Sequence, residues 1–116
     1  MKKFVTLCII SLLVLLLILP AVGCQAQSVQ SVQSDKHYKN STALVIDGEY
    51  EEAIEELNET IRLYPEYAEA YYIRGLAYDN SGEVAKAISD YEKCIELSSD
   101  PVLIDSAQML LYWLRR

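Results

Sequence analysis

The chain is poor in the residues on which most catalytic and metal sites depend. It has one histidine, His37, and three cysteines, Cys8, Cys24 and Cys94. A histidine-based triad or a histidine metal cluster therefore has too few residues to form. Three scattered cysteines also give no disulfide framework and do not identify a redox compartment. We therefore predict a protein that is not an enzyme, with no cofactor and no bound metal.

Basic residues are scarce as well. Lys and Arg number 10 against 17 Asp and Glu, which gives a formal charge of −7. Removal of an N-terminal leader with Lys2 and Lys3 would leave 8 basic residues against 17 acids, a difference of −9. Binding to nucleic acid needs Lys and Arg on the phosphates, so nucleic acid is excluded as a partner. A basic patch on another protein fits this charge better.

The one long hydrophobic run lies at the N-terminus. Two lysines precede an apolar stretch at residues 4–19, which is the layout of a bacterial export signal. The next residues, AVGC at 21–24, resemble the lipobox of bacterial lipoproteins, although Ala21 replaces the leucine that the family prefers. The resemblance implies a signal peptide over residues 1–23, lipidation of Cys24, and export to the outer side of a bacterial membrane.

Two alternatives to a lipid anchor stay open. The apolar run is long enough to remain as an uncleaved membrane-spanning anchor. Ordinary signal peptidase could also cut nearby and release a soluble protein. In the lipoprotein interpretation, residues 24–34 hold the lipidated Cys24 and a flexible Gln/Ser-rich tether (QAQSVQSVQS). Ten tether residues reach at most about 35 Å, so the folded part is expected close to the membrane.

The strongest internal signal is a motif that occurs twice. GEYEEAI at 48–54 returns as GEVAKAI at 82–88, and we call this displacement, from residue 48 to residue 82, the repeat length. A fixed self-similarity of this size indicates stacked helical units and favours recognition over catalysis. Gly48 and Gly82 are expected to end helices, since glycine readily takes positive φ. Pro65 and Pro101 separate the units, and Asp100 before Pro101 has the form of a helix N-cap.

Apolar residues recur at helical spacing in five segments. One segment precedes and one follows each of Gly48 and Gly82, and the fifth comes after Pro101. The predicted faces are Tyr50, Ala53, Ile54, Leu57 and Ile61; Val84, Ala87, Ile88, Tyr91 and Ile95; Ala68, Tyr71, Tyr72, Gly75, Leu76 and Tyr78; Tyr38, Ser41, Leu44 and Val45; and Leu103, Ala107, Leu110, Leu111 and Leu114.

This pattern resembles the tetratricopeptide repeat. The resemblance implies an all-α fold, a short right-handed helical solenoid. It would have two helix-turn-helix units over residues 35–101 (about 34–67 and 68–101) and a capping helix at 102–116. Gly75 stands at the family's helix-contact glycine and is expected to face Ala87, with Ser41 and Ala53 as their counterparts. The first unit departs most, with His37 and Ser41 in place of an aromatic residue and glycine, so its first helix is expected to pack loosely.

The same resemblance implies a concave groove that binds a protein or peptide. Its lining would be Tyr38, Thr42, Val45, Glu69, Tyr72, Leu76, Asp79 and Asn80. Tyrosines at such positions suit recognition, because they bury a large area and keep a hydroxyl for hydrogen bonding. The family's carboxylate clamp of basic residues and Asn is not visible, since Tyr38 and Thr42 occupy its positions.

Other features have simpler interpretations. Cys94 is expected to be buried and inert, and His37 an exposed helix residue. The glutamates around Glu51, Glu55 and Glu59 favour a solvated face, with a docking surface for a basic partner as the alternative. Met109 and Trp113 give the last helix a second apolar side.

Taken together, the sequence predicts a lipid-anchored adaptor that binds another protein in envelope assembly or scaffolding. The alternative is a small structural lipoprotein that homo-oligomerises through Met109 and Trp113 without a separate ligand.

Overall fold

The computed structural model describes residues 2–6, 32–33 and 35–116. It divides the chain into two compact units, Met1–Val32 and Gln33–Arg116. In the first unit, residues 2–6 are helical with exposed side chains, and the Thr6 hydroxyl donates to the Lys2 carbonyl at 2.5 Å. The predicted signal peptide (1–23), the lipidation site Cys24 and the tether up to residue 34 otherwise lie outside the described residues.

The second unit is built from five helices joined by short turns. Helix α1 covers residues 35–47, and the others are α2 (Tyr50–Leu63), α3 (Ala68–Asn80), α4 (Val84–Leu97) and α5 (Pro101–Leu114). No strand occurs in the described ranges. Along the chain, α2 packs on α3, α3 on α4 and α4 on α5. The predicted all-α helical repeat is confirmed.

The two turns inside the repeats have the same geometry. Gly48 and Gly82 have φ of 84° and 87°. The glycine amides donate to Val45 and Asp79, and the following Glu49 and Glu83 amides donate to Leu44 and Tyr78 at 2.9 and 2.8 Å. Each residue named in the first turn has its counterpart in the second turn one repeat length later. This paired arrangement satisfies the last free carbonyls of α1 and α3 and reverses the chain, as the glycines predict.

Helix α5 begins at the predicted cap. The Asp100 carboxylate accepts from the Val102 amide at 3.0 Å, and Pro101 occupies the first turn. Pro at this position costs no hydrogen bond because its missing N–H would have no partner in the helix.

The buried residues of α2 and α4 occupy equivalent positions, one repeat length apart. Ala53, Leu57 and Thr60 of α2 are fully buried, and so are their counterparts Ala87, Tyr91 and Cys94 in α4. Cys94 therefore lies where the sequence predicts. Burial raises the pKa of its thiol to about 11, with a further contribution from Glu69, so the reactive thiolate is disfavoured.

Gly75 is a point of close contact between α3 and α4. A Cβ on Gly75 would lie 2.7 Å from Cε1 and 2.9 Å from Cδ1 of Tyr91. The Tyr91 ring, in the same buried cluster as Ala87, is therefore the nearest neighbour of the glycine. Real side chains do not pack at such distances, so the ring occupies the space that any side chain at residue 75 would need.

The corresponding positions of the first unit carry residues of different size. By the repeat length, Ser41 corresponds to Gly75 and Leu57 to Tyr91, and both Ser41 and Leu57 are fully buried. The Ser41 hydroxyl donates to the Tyr38 carbonyl at 2.7 Å. The other residues of α1 are exposed or only partly buried, so its loose packing stays a prediction.

We predict that Gly75→Ala destabilises the protein by about 1–2 kcal/mol, the overpacking cost less the gain in helix propensity. In a Tyr91→Leu background, which copies the first unit, the same substitution is expected to cost much less or to stabilise. Denaturant unfolding of the four solubilised full-length variants measures this coupling. An equal effect of Gly75→Ala in both backgrounds would contradict the assigned contact.

Candidate functional site

The eight predicted groove residues lie on α1 and α3 and all retain exposed surface. Tyr38, Thr42 and Val45 of α1 are partly buried, as are Tyr72, Leu76 and Asp79 of α3, whereas Glu69 and Asn80 are exposed; none is in the fully buried core. Nothing in this arrangement identifies a ligand by itself. It provides a surface on which side chains of two successive units are available for contact.

The first end of this surface joins α1 to the start of α3. The rings of Tyr38 and Tyr67 lie 5.1 Å apart between centroids at a tilt of 41°. Burial raises the pKa of both hydroxyls, that of Tyr67 to about 12, and the nearby Glu69 carboxylate raises both further. Both tyrosines therefore stay protonated at neutral pH and can donate hydrogen bonds beside a negative charge. Tyr67 is a neighbour that the groove prediction missed, although it belongs to a visible cluster of tyrosines.

The middle of the surface rests directly on the core. The Tyr72 ring lies 5.9 Å from that of Tyr91, and both Tyr72 and Leu76 pack against the buried cluster around Ala87 and Cys94. Burial, with a smaller contribution from Cys94, raises the pKa of Tyr72. Tyr72 consequently has two roles, since one part of the ring supports the core while the rest is available at the surface.

The far end of the surface is polar. The Asn80 side-chain amide donates to the Leu76 carbonyl at 2.8 Å, and Asn80 is exposed. Asp79 lies close enough to Tyr91 to contribute to the raised pKa of that phenol, after burial as the largest cause. The predicted groove residues of α3 thus include a carboxylate near each end of the helix, Glu69 and Asp79, with Tyr72 and Leu76 between them.

Helix α5 continues the register of this surface. One repeat length after Tyr72, Leu76 and Asp79 stand Ser106, Leu110 and Trp113. Trp113 is 60% exposed, and Ser106 and Leu110 are partly buried. The groove prediction omitted these three, although the displacement alone identifies them.

A set of polar contacts around Arg74, which joins the two repeat units, was not predicted from the sequence. Arg74 donates from Nε and Nη2 to the Asp90 carboxylate at 2.8 and 2.7 Å, and from Nη1 to Asn58 at 2.8 Å. Its guanidinium lies 5.5 and 5.8 Å from the rings of Tyr71 and Tyr78. Burial alone would lower the pKa of Arg74, but the Asp90 hydrogen bonds raise it overall. This bidentate pair joins α2, α3 and α4, and removal of either partner would leave a desolvated charge.

The acidic face of α2 forms a separate hollow of about 380 Å³. It is lined by His37, Leu44, Glu52, Glu55, Glu56 and Glu59. His37 is partly buried and its Nδ1 contacts the Glu56 carboxylate, which differs from the exposed histidine that was predicted. Arg62 binds Glu59 through two hydrogen bonds, so part of the negative charge is neutralised locally.

The predicted self-association residues are on the outer side of α5. Met109 and Trp113 are 59% and 60% exposed. Neither contributes to the buried core of the described unit.

Over residues 2–6, 32–33 and 35–116, no group of three or more potential metal ligands occurs together. Within those same ranges, no helix has the length and hydrophobicity needed to cross a membrane.

Comparison with known proteins gives one positive result. No curated protein matches the chain. The tetratricopeptide repeat matches residues 38–100, which are 63 of the 116 residues and include α2, α3 and α4 entirely. Repeats of this kind generally bind protein partners and are generally non-catalytic. Since more than half of the chain is matched, this protein belongs to the tetratricopeptide repeat family.

Proposed function

We propose that this protein is a membrane-anchored adaptor that binds another protein through the surface on α1 and α3 and acts in the assembly or scaffolding of bacterial envelope complexes. The observation that supports the binding site is that the eight predicted side chains on α1 and α3 all retain exposed surface, while Tyr72 and Leu76 among them pack against the buried core. Rigid aromatic side chains lose little entropy on binding, and Tyr72 is held against Tyr91 before any ligand arrives.

The charge of this surface indicates the chemistry of the partner. Glu69 and Asp79 place negative charge near both ends, and the chain as a whole has a formal charge of −7. A segment that carries Lys or Arg at its ends and apolar side chains between them is complementary to this arrangement. The mechanism is groove recognition, with tethering that raises the effective concentration of neighbouring partners.

The anchor is supported by the sequence. Two lysines, the apolar run at 4–19 and AVGC at 21–24 favour export and lipidation of Cys24. An uncleaved anchor over the same run remains the alternative.

The groove is tested by reversing its charges. We predict that Glu69→Lys/Asp79→Lys weakens partner binding at least about tenfold, because two favourable contacts become repulsive. Proteins that co-purify from mild detergent with a chain tagged beyond Arg116 are quantified by mass spectrometry, and the affinity of the recovered partner is then measured.

The matched control is Glu51→Lys/Glu55→Lys, which changes the net charge equally on the exposed side of α2. The proposal requires the partner to remain bound to this control. Selective loss from the α2 variant would move the site to the acidic hollow, and absence of any partner from the parent would contradict the adaptor.

The lipid anchor is tested by labelling cells with a radioactive fatty acid. We predict that Cys24→Ala abolishes the label, because the thioether can form only on that sulfur. Cys8→Ala, a change of the same kind within the apolar run, is expected to keep it. An unlabelled parent that stays in the membrane fraction would instead indicate an uncleaved anchor.

A further inference from the structure

Helix α5 carries a narrow exposed stripe that no described part of the chain covers. Val102, Met109, Tyr112 and Trp113 are 71%, 59%, 59% and 60% exposed, and Asp105 and Arg116 are exposed between and beyond them. At 3.6 residues per turn, the five residues up to Trp113 fall within about 100° of the helix circumference, and Arg116 follows two residues after the helix ends at Leu114. The opposite face, with Ala107 and Leu111, is buried against α4.

The repeat register shows what kind of element belongs on this stripe. Met109 and Tyr112 stand one repeat length after Gly75 and Tyr78. In the complete second unit, Gly75 faces the antiparallel helix α4 through the Tyr91 ring. Helix α5 is therefore the first helix of a third unit, and its exposed stripe is the side on which a second, antiparallel helix would pack.

We infer that this second helix is supplied by α5 of another copy of the chain, in a two-fold symmetric antiparallel pair centred on Met109. The arrangement does not depend on the proposed groove function.

The charges of the stripe are self-complementary in this orientation. With Met109 on the two-fold axis, Leu114 at the end of α5 in one copy lies opposite Ile104 of the other, and Arg116, two residues further on, is within reach of Asp105. Each dimer then contains two such Asp105–Arg116 contacts. In the described parts of the single chain, neither Asp105 nor Arg116 has an ion pair, and Arg116 lies over the rings of Tyr112 and Trp113 at 5.1 Å. A parallel pair would instead bring Asp105 against Asp105 and Arg116 against Arg116.

The surface beside the stripe can also accept a partner side chain. A hollow of about 390 Å³ lies between Gln108, Leu111, Tyr112, Arg115 and Arg116. Arg115 contacts Glu92 of α4, which holds one wall of this hollow in place. A helix of 14 residues is about 21 Å long, so the contact is at the small end of specific interfaces and the dimer is expected to be weak and reversible.

The test is sedimentation equilibrium of the full-length chain in density-matched detergent over a wide concentration range. The parent is expected to show a reversible monomer–dimer equilibrium. Asp105→Arg alone and Arg116→Glu alone are each expected to weaken the dimer about tenfold or more, since each replaces both attractions by repulsions. Met109→Lys, which brings two like charges together on the axis, is expected to leave a monomer.

Mixing the two charge variants gives the decisive result. An equimolar mixture of Asp105→Arg and Arg116→Glu is expected to form a mixed dimer within about threefold of the parent affinity, because opposite charges face each other at both ends. Glu51→Lys, a charge reversal on α2, is the control and should have no effect. Circular dichroism and unfolding should match the parent in all variants, since the changed residues are exposed.

Failure of the mixture to associate would overturn the antiparallel pair. A parent that stays monomeric would also overturn it, whether the stripe is then bare, covered by residues 1–34 or used by a different protein. A dimer that survives Met109→Lys would place the self-association elsewhere, such as in the apolar run at 4–19.

Discussion

The contact between Gly75 and the Tyr91 ring is the constraint on which the rest of the structure depends. It sets the distance between α3 and α4, because the ring lies where a side chain at residue 75 would be. Burial of the aromatic ring contributes about 1.5–3 kcal/mol. The Tyr91 hydroxyl, however, is buried with no hydrogen-bond partner in the described part of the chain, which costs about 1–3 kcal/mol and offsets much of that gain. The Tyr72 ring lies 5.9 Å from the same ring, so the core spacing and the position of this predicted groove side chain depend on the same residue.

The units are also joined by polar contacts that fix their relative rotation. Arg74 reaches Asn58 on α2 and Asp90 on α4, and Asp90 is only 5% exposed. The pair links α3 to α4, Asn58 extends the link to α2, and removal of either Arg74 or Asp90 would leave an uncompensated buried charge.

Much of this architecture could be predicted from the sequence, since it depends on residues with strong local preferences. Gly48 and Gly82 end helices by positive φ, and Asp100 caps α5, so the turns were predicted correctly. The Tyr91 ring beside Gly75 was not predicted, because periodicity gives the face of a helix and not which side chain fills a gap. Loose packing of α1 stays a prediction. The Arg74–Asp90 pair and the Tyr38–Tyr67 contact arise from tertiary geometry. Whether the eight groove residues bind a partner stays a prediction.

Native-state hydrogen exchange of the full-length chain, read by mass spectrometry, tests the central role of the α3–α4 contact most directly. Regions that share the most buried contacts exchange only through the largest openings. Amides of α3 and α4 are therefore expected to be the most protected, with α5 and the start of α1 exchanging faster. Greatest protection in α1 and α2, with α3 and α4 exchanging early, would contradict this account.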